Sequence, residues 1–329
     1  MTALYDVAAI GNAIVDVIAP ASDDFLAAEG LVKGSMALID DAQATSLYSR
    51  MAAAIEASGG SAGNTVAGLA SLGGRGVHIG KLGRDQLGDV FVHDLEAIGA
   101  RFAGGWMQDA TPTGRCLINV TPDGQRTMST LLGAAALLGP NDVDATVIEA
   151  AKIVYLEGYL FDPDEARRAF AKSAGLARAS QRLIALTLSD SFMVDRHRPA
   201  LKGFIDGEVD ILFANEAEIT SLYETDTFDD AIEAVRGRAS IVAVTRGASG
   251  STIVTEGMIH QIEASPAEKV VDTTGAGDQY AAGFLFGLAR GHSLDHCGRL
   301  GSLAAGEVIS HYGPRPQVSL RDLATAAGL

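Results

Sequence analysis

Short apolar runs recur along the chain, and glycine or acidic residues bound each of them. The runs lie at residues 7–10, 77–79, 153–156, 183–186, 211–213 and 241–244. Helix-like patterns follow several of the runs, as at 164–179 and 228–235. Buried strands that alternate with helices are typical of βαβ units, so the pattern predicts an α/β fold with a mostly parallel sheet.

Two regions interrupt this alternation and predict a second, smaller sheet. Residues 14–18 and 36–39 have strand-like patterns, and the predicted strands 113–120 and 126–131 flank a Thr-Pro-Asp-Gly turn signal that indicates a hairpin. A separate sheet over the ends of the main strands would act as a lid. We therefore expect one domain over 1–329, with a lid formed by discontinuous segments near 14–40 and 100–132.

Small and polar residues recur just beyond the predicted strand ends. Gly11, Asn12, Asn215 and the Thr-Arg-Gly sequence at 245–247 each follow a predicted strand. Ligands of parallel α/β sheets bind beyond the carboxyl ends of the strands. These residues are therefore predicted to share one composite site with the motif at 272–278.

Composition narrows the class of partner. The chain has 329 residues, a net charge of −16 and no basic cluster, which argues against nucleic acid and an anionic membrane surface as partners. Cys116 and Cys297 lie far apart and no zinc-ligand spacing occurs, so we expect reduced thiols in the cytoplasm. We expect no signal peptide and no membrane span, because a basic leading segment and a long apolar run do not occur.

The motif Asp-Thr-Thr-Gly-Ala-Gly-Asp at 272–278 stands between a strand-like segment and an apolar, helix-like run. Small residues let a backbone approach a ligand closely, and the first amides of a helix lack internal partners. With the positive end of the helix dipole, these amides form an anion site. Asp278 would repel an anion that merely bound there, but it has a role if it takes a proton from an attacking hydroxyl during phosphoryl transfer. The motif therefore predicts a small-molecule kinase.

A second glycine-rich stretch, Gly-Gly-Ser-Ala-Gly-Asn-Thr at 59–65, predicts a tight turn into a helix. Ser61 and Asn64 suit contacts with sugar hydroxyls, and the glycine pair suits a hinge. The stretch also matches Gly-x-Ser-x-Gly, the nucleophile elbow of α/β-hydrolases, which needs a strand before the serine. Because residues 51–57 have a helix-like pattern, the hydrolase is the less favoured alternative.

Several polar residues have two interpretations each. Asp16 could accept hydrogen bonds from two vicinal sugar hydroxyls, or face solvent on an edge strand. Asn215 and Glu218 share a face of one helical turn, where they could hold magnesium or cap the helix. Arg126 could close over phosphate oxygens or be a solvated strand residue. The residues at 245–247 could contact nucleotide phosphates or end a strand.

Two common phosphate-binding motifs do not occur. The chain has no Gly-x-x-x-x-Gly-Lys-Ser/Thr P-loop, and Gly275-Ala276-Gly277 is followed by Tyr280 where a dinucleotide fingerprint has its third glycine. The prediction of phosphate chemistry therefore depends on the motif at 272–278.

These motifs resemble those of the ribokinase-like (PfkB) family of sugar and nucleoside kinases over nearly the whole chain. The segments at 11–16, 59–65, 215–218, 245–247 and 272–278 occur in the family's order. The resemblance implies a three-layer α/β/α ribokinase-like core with a mostly parallel sheet and a small β-sheet lid. It also implies ATP and Mg²⁺ as cofactors, and a monovalent cation site beside the anion hole, usually for K⁺.

The resemblance implies a role for each matching residue. Asp278 is the expected catalytic base and Arg126 the expected lid arginine, with an anion hole at Gly275, Ala276 and Gly277. The residues expected to bind the acceptor are Asn12, Asp16, Gly60, Ser61, Asn64, Tyr159 and Phe161. Those expected to bind ATP are Asn215, Thr245, Arg246, Gly247, Asp272 and Thr273, and those expected to hold magnesium are Asn215 and Glu218.

Within the family, the chain is similar to adenosine kinases. Three elements carry this similarity: Gly-Asn-Ala-Ile-Val-Asp at 11–16, Arg126 before the Leu-Leu-Gly-Ala-Ala segment at 131–135, and Gly-Tyr-Leu-Phe at 158–161. We therefore predict ATP-dependent phosphorylation of a primary hydroxyl, with adenosine as the first candidate acceptor. A sugar kinase for ribose, fructose or a related sugar is the alternative. A nucleoside- or sugar-binding protein without turnover is a third. Monomer and homodimer both remain open.

Overall fold

A computed structural model of the protein describes residues 3–267 and 269–329. The strands, in chain order, are β1 (Tyr5–Ile10), β2 (Ile14–Pro20), β3 (Met36–Leu38), β4 (Ile55–Ser58), β5 (Gly76–Ile79), β6 (Lys81–Leu82), β7 (Arg101–Phe102), β8 (Gly105–Trp106), β9 (Gly114–Val120), β10 (Arg126–Leu131), β11 (Ala151–Glu157), β12 (Leu183–Thr187), β13 (Ile211–Asn215), β14 (Ile241–Thr245), β15 (Ser251–Val254) and β16 (Ile259–Ile262).

The helices, in chain order, are α1 (Asp23–Ala28), α2 (Asp41–Tyr48), α3 (Ser61–Ser71), α4 (Gln86–Ala97), α5 (Ala145–Glu149), α6 (Asp164–Ala179), α7 (Ser191–Glu208), α8 (Glu216–Tyr223), α9 (Phe228–Val235), α10 (Ala276–Ala289), α11 (Leu294–Val308) and α12 (Leu320–Ala326). Short 3-10 turns lie at Gly133–Leu137, Pro140–Asp142, Gly158–Phe161 and Gly247–Ser249.

The main sheet has the strand order β16-β15-β14-β13-β12-β11-β1-β5-β7 within the described residues. Its strands pair in parallel from β14 to β7, and β15 and β16 add an antiparallel edge. All six strands predicted from the buried runs belong to this sheet. The prediction of an α/β fold with a mostly parallel sheet is confirmed.

Helices cover both faces of this sheet, because successive side chains of a strand point to opposite faces. In β1, Ala8 and Ile10 pack into a core with residues of α6 to α9, whereas Val7 and Ala9 pack into a second core with residues of α3, α4, α10 and α11. The result is the predicted three-layer arrangement. The carboxyl ends of the parallel strands therefore meet the first turns of helices from both outer layers.

A second, five-stranded sheet has the order β3-β10-β9-β2-β4. Strands β9 and β10 form the predicted hairpin, whose turn reverses at Gly124 with a φ of 81°. The predicted strands near 14–18 and 36–39 are its β2 and β3. The smaller sheet expected from the sequence is thus confirmed.

Two segments differ from expectation. Residues 51–57 were predicted to be helical, but α2 ends at Tyr48 and Ile55–Ser58 forms β4, which pairs with β2. Strand pairing overrides the local helical preference of the alanines there. Residues 101–106, expected within the lid, lie outside the second sheet: β7 pairs with β5 and β8 pairs with β6.

Among the residues that the structure describes, no helix combines the length and the apolar character that a bilayer span requires. Cys116 and Cys297 are both buried and form no disulfide.

Candidate active site

The motif at 272–278 forms the turn that begins α10. Gly275 caps the helix with a φ of 79°, and a Cβ added there would lie 2.6 Å from Pro314. Only glycine tolerates both the left-handed backbone and this close approach. The turn therefore depends on glycine at 275.

The first turn of α10 leaves backbone donors open. The Ala276 amide donates to the Thr273 carbonyl and the Gln279 amide to the Gly275 carbonyl, at 3.2 and 2.9 Å. Within the described residues, the amides of Gly275, Gly277 and Asp278 have no hydrogen-bond partner. Of the expected anion hole, the Ala276 amide is therefore engaged and the amides of Gly275 and Gly277 are open. Space is open beside Gly277, where an added Cβ would meet no atom within 4 Å. Free amides at a helix N-terminus are suited to an anion.

Asp278 lies in this same turn and meets the first turn of α3. Ser61 Oγ donates to its Oδ1 at 2.6 Å, and Asn64 Nδ2 donates to its Oδ2 at 3.0 Å. Burial raises the pKa of Asp278 to about 6, although both hydrogen bonds act to lower it. A carboxylate with such a pKa can accept a proton near neutral pH. The structure thus brings Ser61 and Asn64 to the predicted base.

Asp16 reaches the same cleft from β2 of the second sheet. A Cβ added at Gly59 would lie 2.5 Å from Asp16 Oδ2, so this carboxylate fits only because residue 59 has no side chain. Burial raises the pKa of Asp16 to about 6; the charges of Arg315 and Arg126 lower it, and that of Asp278 raises it. Asp16 is half-buried, and β2 pairs with both β4 and β9, so the alternative of an edge-strand residue is excluded. Two carboxylates share the cleft.

Glu157, at the end of β11, is a member of the site that sequence reasoning missed. It is buried, its Oε1 accepts from Asn12 Nδ2 at 2.7 Å, and its Oε2 accepts from the Ala62 amide at 2.9 Å. Burial raises its pKa to about 7, against these two hydrogen bonds. The available signal was its place directly after a buried strand, the same signal that singled out Asn215.

The glycine pair at 59–60 is closely packed. Gly60 caps α3 with a φ of 80°, and a Cβ added there would lie 2.2 Å from the Asn12 carbonyl oxygen. The end of β1, the end of β11 and the start of α3 therefore meet with no room for a side chain at Gly60.

Arg126 of β10 pairs with Asp272 of the motif at 272–278. Their Nη2 and Oδ2 atoms lie 2.5 Å apart, and both side chains are buried. Asp272 also accepts from the Thr274 and Gly313 amides, at 3.0 and 3.1 Å. Arg126 Nε and Nη1 are buried without a partner among the described residues. The alternative of a solvated strand arginine is therefore excluded, and two guanidinium donors remain available.

Asn215 and Glu218 form a capping box at the start of α8. Asn215 Nδ2 donates to Glu218 Oε1 at 2.7 Å, and the Glu218 amide donates to Asn215 Oδ1 at 2.8 Å. Burial raises the pKa of Glu218 to about 7. The capping alternative is thus observed. The described residues contain no group of three or more His, Cys, Asp or Glu side chains that could hold a metal.

The residues at 245–247 lie beside this cap at the end of β14. Thr245 pairs with Asn215 across β13 and β14. Arg246 Nε lies 3.1 Å from Glu216 Oε2, and its guanidinium lies 3.8 Å from the centre of the Phe228 ring. Gly247 has a φ of 53°. The structure brings these three residues to the strand ends next to Asn215, as expected.

Tyr159 and Phe161 follow β11 but take different places. Tyr159 is 36% exposed and stands two positions after Glu157, at the same end of β11. Phe161 is 3% exposed, and its ring centre lies 5.8 Å from that of Phe204 within the core beneath α6 and α7. The expectation that Phe161 contacts substrate is therefore corrected. The 3-10 turn at Gly158–Phe161 directs its side chain into the interior.

The surroundings of Ser61 distinguish a kinase from a hydrolase. Strand β4, the Gly59-Gly60 turn and α3 do form the strand-turn-helix context that a nucleophile elbow needs, contrary to our expectation. However, Ser61 Oγ donates to Asp278, and no histidine in the described ranges is hydrogen-bonded to it. A serine nucleophile needs such a base, so the arrangement does not support a hydrolase.

The second sheet turns an apolar face toward the site. Asp16 pairs in register with Cys116, and Cys116 pairs with Thr130, so the three side chains lie on one face of the sheet. Along each of the three strands, the residues two positions before and after them lie on that same face. That face carries an apolar cluster, which we call the lid patch and which consists of Ile14, Cys116, Ile118 and Ala135 with Ile18, Val120, Met128 and Leu132.

Comparisons with known proteins identify the family of the chain. A model of the pfkB family carbohydrate kinases matches residues 7–320. The adenosine kinase of Saccharomyces cerevisiae is 27% identical over 332 residues, which are 93% of this chain and 95% of that protein.

Two solved structures resemble the chain over nearly its whole length. The adenosine kinase from Sinorhizobium meliloti has a TM-score of 0.91 and 51% identity, covering 98% of this chain and 99% of that one. A probable sugar kinase protein from Rhizobium etli has a TM-score of 0.90 and 46% identity, covering 99% of both chains. The chain therefore belongs to the pfkB family of carbohydrate kinases and is a phosphotransferase with an alcohol group as its acceptor.

Proposed function

We propose that this protein is an adenosine kinase, which transfers the γ-phosphoryl group of MgATP to the 5′-hydroxyl of adenosine. The observation that carries the proposal is the lid patch beside Asp16. A nucleoside offers a polar ribose and an apolar base face, and the second sheet offers a carboxylate and an apolar cluster on one face. The similarity to the adenosine kinase from Sinorhizobium meliloti supports the same acceptor.

The acceptor lies between the two sheets in this proposal. Asp16 and Asn12 bind the ribose hydroxyls, since a carboxylate can accept from two vicinal hydroxyls. The lid patch covers one face of the base, and Tyr159 approaches from the end of β11 in the main sheet. A free sugar has no apolar base and therefore cannot make this contact with the lid patch.

The donor, MgATP, enters as a substrate at the ends of β13 and β14. Asn215, Thr245, Arg246 and Gly247 lie there, with Asp272 and Thr273 at the neighbouring turn. Magnesium prefers oxygen ligands and keeps several waters, so the buried Glu218 carboxylate and the Asn215 amide suit an indirect role through water. Monovalent cation binding beside the anion hole, with K⁺ as the first candidate, stays a prediction.

Transfer follows from the positions of the groups. The 5′-oxygen attacks the γ-phosphorus as its proton passes to Asp278, and the bond between the γ-phosphorus and the β,γ-bridging oxygen breaks to leave ADP. The free amides of Gly277 and Asp278 and the unpartnered donors of Arg126 stabilise charge on the equatorial oxygens. Water is excluded when the second sheet covers the site. We also propose that the enzyme acts in the cytoplasm, as a monomer or homodimer.

A sugar kinase is the second candidate, because Asp16 and Asn12 would bind vicinal hydroxyls whether or not a base is attached. The probable sugar kinase protein from Rhizobium etli is consistent with it. A binding protein without turnover is the least favoured, since binding alone has no use for a base of raised pKa beside an anion hole.

The test is acceptor-dependent ADP release from MgATP with adenosine, other nucleosides, ribose and fructose, each with and without K⁺. Adenosine should give the highest kcat/KM. Val120→Ser and Met128→Ser, which make the lid patch polar, should raise the KM for adenosine while any turnover of ribose is unaffected. A higher kcat/KM for a free sugar than for every nucleoside would overturn the adenosine assignment.

A further inference from the structure

The loop between α11 and α12 closes one side of the active site. The Gly313 amide donates to Asp272 Oδ2 at 3.1 Å, and the Pro314 carbonyl accepts from Gln279 Nε2 at 2.9 Å. Arg315 follows directly, is half-buried and reaches the first turn of α3 with its side chain. Sequence reasoning gave this loop no role.

Arg315 contacts the residues that hold the base. Its Nε donates to Asn64 Oδ1 at 3.4 Å, its Nη1 donates to Ser58 Oγ at 2.6 Å, and its Nη2 is buried without a partner among the described residues. Asn64 in turn donates through Nδ2 to Asp278 Oδ2 at 3.0 Å. A chain of hydrogen bonds therefore runs from the guanidinium through the carboxamide to the carboxylate.

This chain can run in one direction only. A guanidinium has donors and no acceptor, an ionised carboxylate has acceptors and no donor, and a carboxamide has one end of each kind. With Arg315 on one side and Asp278 on the other, the Asn64 oxygen must face the arginine and its NH₂ group must face the aspartate. The reversed amide would set donor against donor and acceptor against acceptor.

We propose that Arg315 is a positioning residue for phosphoryl transfer, which orients the Asn64 carboxamide so that Nδ2 holds the Asp278 carboxylate toward the acceptor hydroxyl. The inference rests on the proposed role of Asp278 as the base. It adds a third side to the site, since Ser61 and Asn64 come from α3 and Asp278 from α10.

The positive charge of Arg315 also acts on the carboxylates of the cleft. It lowers the pKa of Asp16, and Arg126 does so too, whereas Asp278 raises it. Burial raises the pKa of both Glu157 and Glu218, and the charge of Asp278 raises it further. Losing Arg315 would leave the cleft with more uncompensated negative charge. Without Arg315 the Asn64 hydrogen bond that lowers the pKa of Asp278 is also weakened, so the acid limb of kcat should move to higher pH.

The decisive experiment is a double-mutant cycle on kcat with Arg315→Met, Asn64→Ala and the double variant. If Arg315 acts through Asn64, Arg315→Met alone lowers kcat by about tenfold or more, as expected for a charged hydrogen bond, but lowers it little further once Asn64 is alanine. Arg315→Lys should recover only part of the loss, because its single ammonium cannot span Asn64 and Ser58. Arg299→Met, which removes an exposed arginine on α11, is the matched control.

Independent effects of Arg315→Met and Asn64→Ala on kcat would overturn the inference, as would an unchanged acid limb. If Arg315→Met does not fold, Ser58→Ala can be used in its place. It removes the acceptor of Arg315 Nη1 and leaves the charge of Arg315 intact. It should lower kcat in the wild-type background and not in the Asn64→Ala background.

Asp278→Asn separates this inference from the function itself. If that variant retains activity, the proposed base is wrong. If it is inactive while the cycle is additive, only the role of Arg315 fails. The cycle can be run with any acceptor that the wild-type enzyme phosphorylates.

Discussion

Arg126 of the second sheet and Asp272 of the α10 turn form a buried ion pair, with 2.5 Å between Nη2 and Oδ2. The pair joins the second sheet to the turn that begins α10 and carries the free amides. Because Arg126 Nε and Nη1 have no partner among the described residues, the guanidinium can bind a phosphoryl oxygen without losing Asp272.

Arg126→Gln should therefore lower kcat by about 10²-fold, as for loss of one donor to a developing oxyanion, and leave adenosine affinity nearly unchanged. Steady-state kinetics and adenosine titration check this. Arg115→Gln is the matched control, because Arg115 lies on the same sheet but pairs with Asp41 of α2. An equal loss in both variants would mean that the sheet is merely destabilised.

Asp278→Asn should lower kcat by about 10²–10⁴-fold, the usual contribution of a general base. The amide keeps the shape of the side chain, so the melting temperature should change little. Thermal unfolding and turnover are to be measured together, with Asp229→Asn at the exposed first turn of α9 as control. Activity within a few-fold of wild type would refute the base assignment.

The pH dependence of kcat should show an acid limb near pH 6, because Asp278 must be ionised to accept a proton and burial raises its pKa to about 6. Asp16 titrates in the same range, so the limb should be steeper than for one group. Ser61→Ala removes a donor that favours the ionised form of Asp278, and the limb should move to higher pH. Ser240→Ala, an exposed serine, should leave it in place; a limb unmoved by Ser61→Ala would contradict the role of that hydrogen bond.

Glu157 should make the stability of the protein depend on pH. Burial raises its pKa from 4.5 to about 7, so the folded state keeps a proton that the unfolded state has released between these values. Its contribution to the free energy of unfolding is therefore fully present below pH 4.5 and lost as pH rises to about 7.

The difference in the free energy of unfolding between wild type and Glu157→Gln should accordingly fall with pH over this range, by about 3 kcal/mol. Urea unfolding at several pH values measures it. Glu256→Gln, at an exposed turn, should show no such trend. A difference that rises with pH would mean that hydrogen bonds from Asn12 and Ala62 outweigh burial.

Gly60→Ala should destabilise the protein by about 1–3 kcal/mol and lower kcat, because alanine must adopt a left-handed backbone and displace a carbonyl. The affected carbonyl is that of Asn12, 2.2 Å from the added Cβ. Gly175→Ala is a matched control within α6, where the added Cβ meets nothing within 4 Å. It should stabilise by up to about 1 kcal/mol. Equal effects of the two substitutions would contradict the packing at Gly60.

Much of the fold and of the site's framework could be predicted from the sequence, because both depend on local pattern. Buried β-branched runs marked the strands, and the turn at 121–124 marked the hairpin. The glycines at 275 and 277 marked the turn that begins α10. These signals lie within a few residues of one another and need no knowledge of tertiary contacts.

The rest of the site depends on contacts between distant segments. Ser61 meets Asp278 across 217 positions, and Arg315 meets Asn64 across 251. No local pattern distinguishes Arg315 from a solvated loop arginine, or Glu157 from a residue that merely ends a strand. Phe161 was misplaced for the same reason, since the direction of its side chain depends on how the 3-10 turn packs against α6 and α7.

The way the chain passes between the two sheets limits how the smaller one can move. Within the described residues it crosses four times: after β1, before α3, before β9 and after β10. Four connections to the main sheet restrict how the second sheet can move. It can rotate about an axis through these connections far more readily than it can slide or twist. Such rocking would move Asp16 and Arg126 together as parts of one rigid sheet. Asp16 would then contact the acceptor at the same time as Arg126 contacts the phosphate.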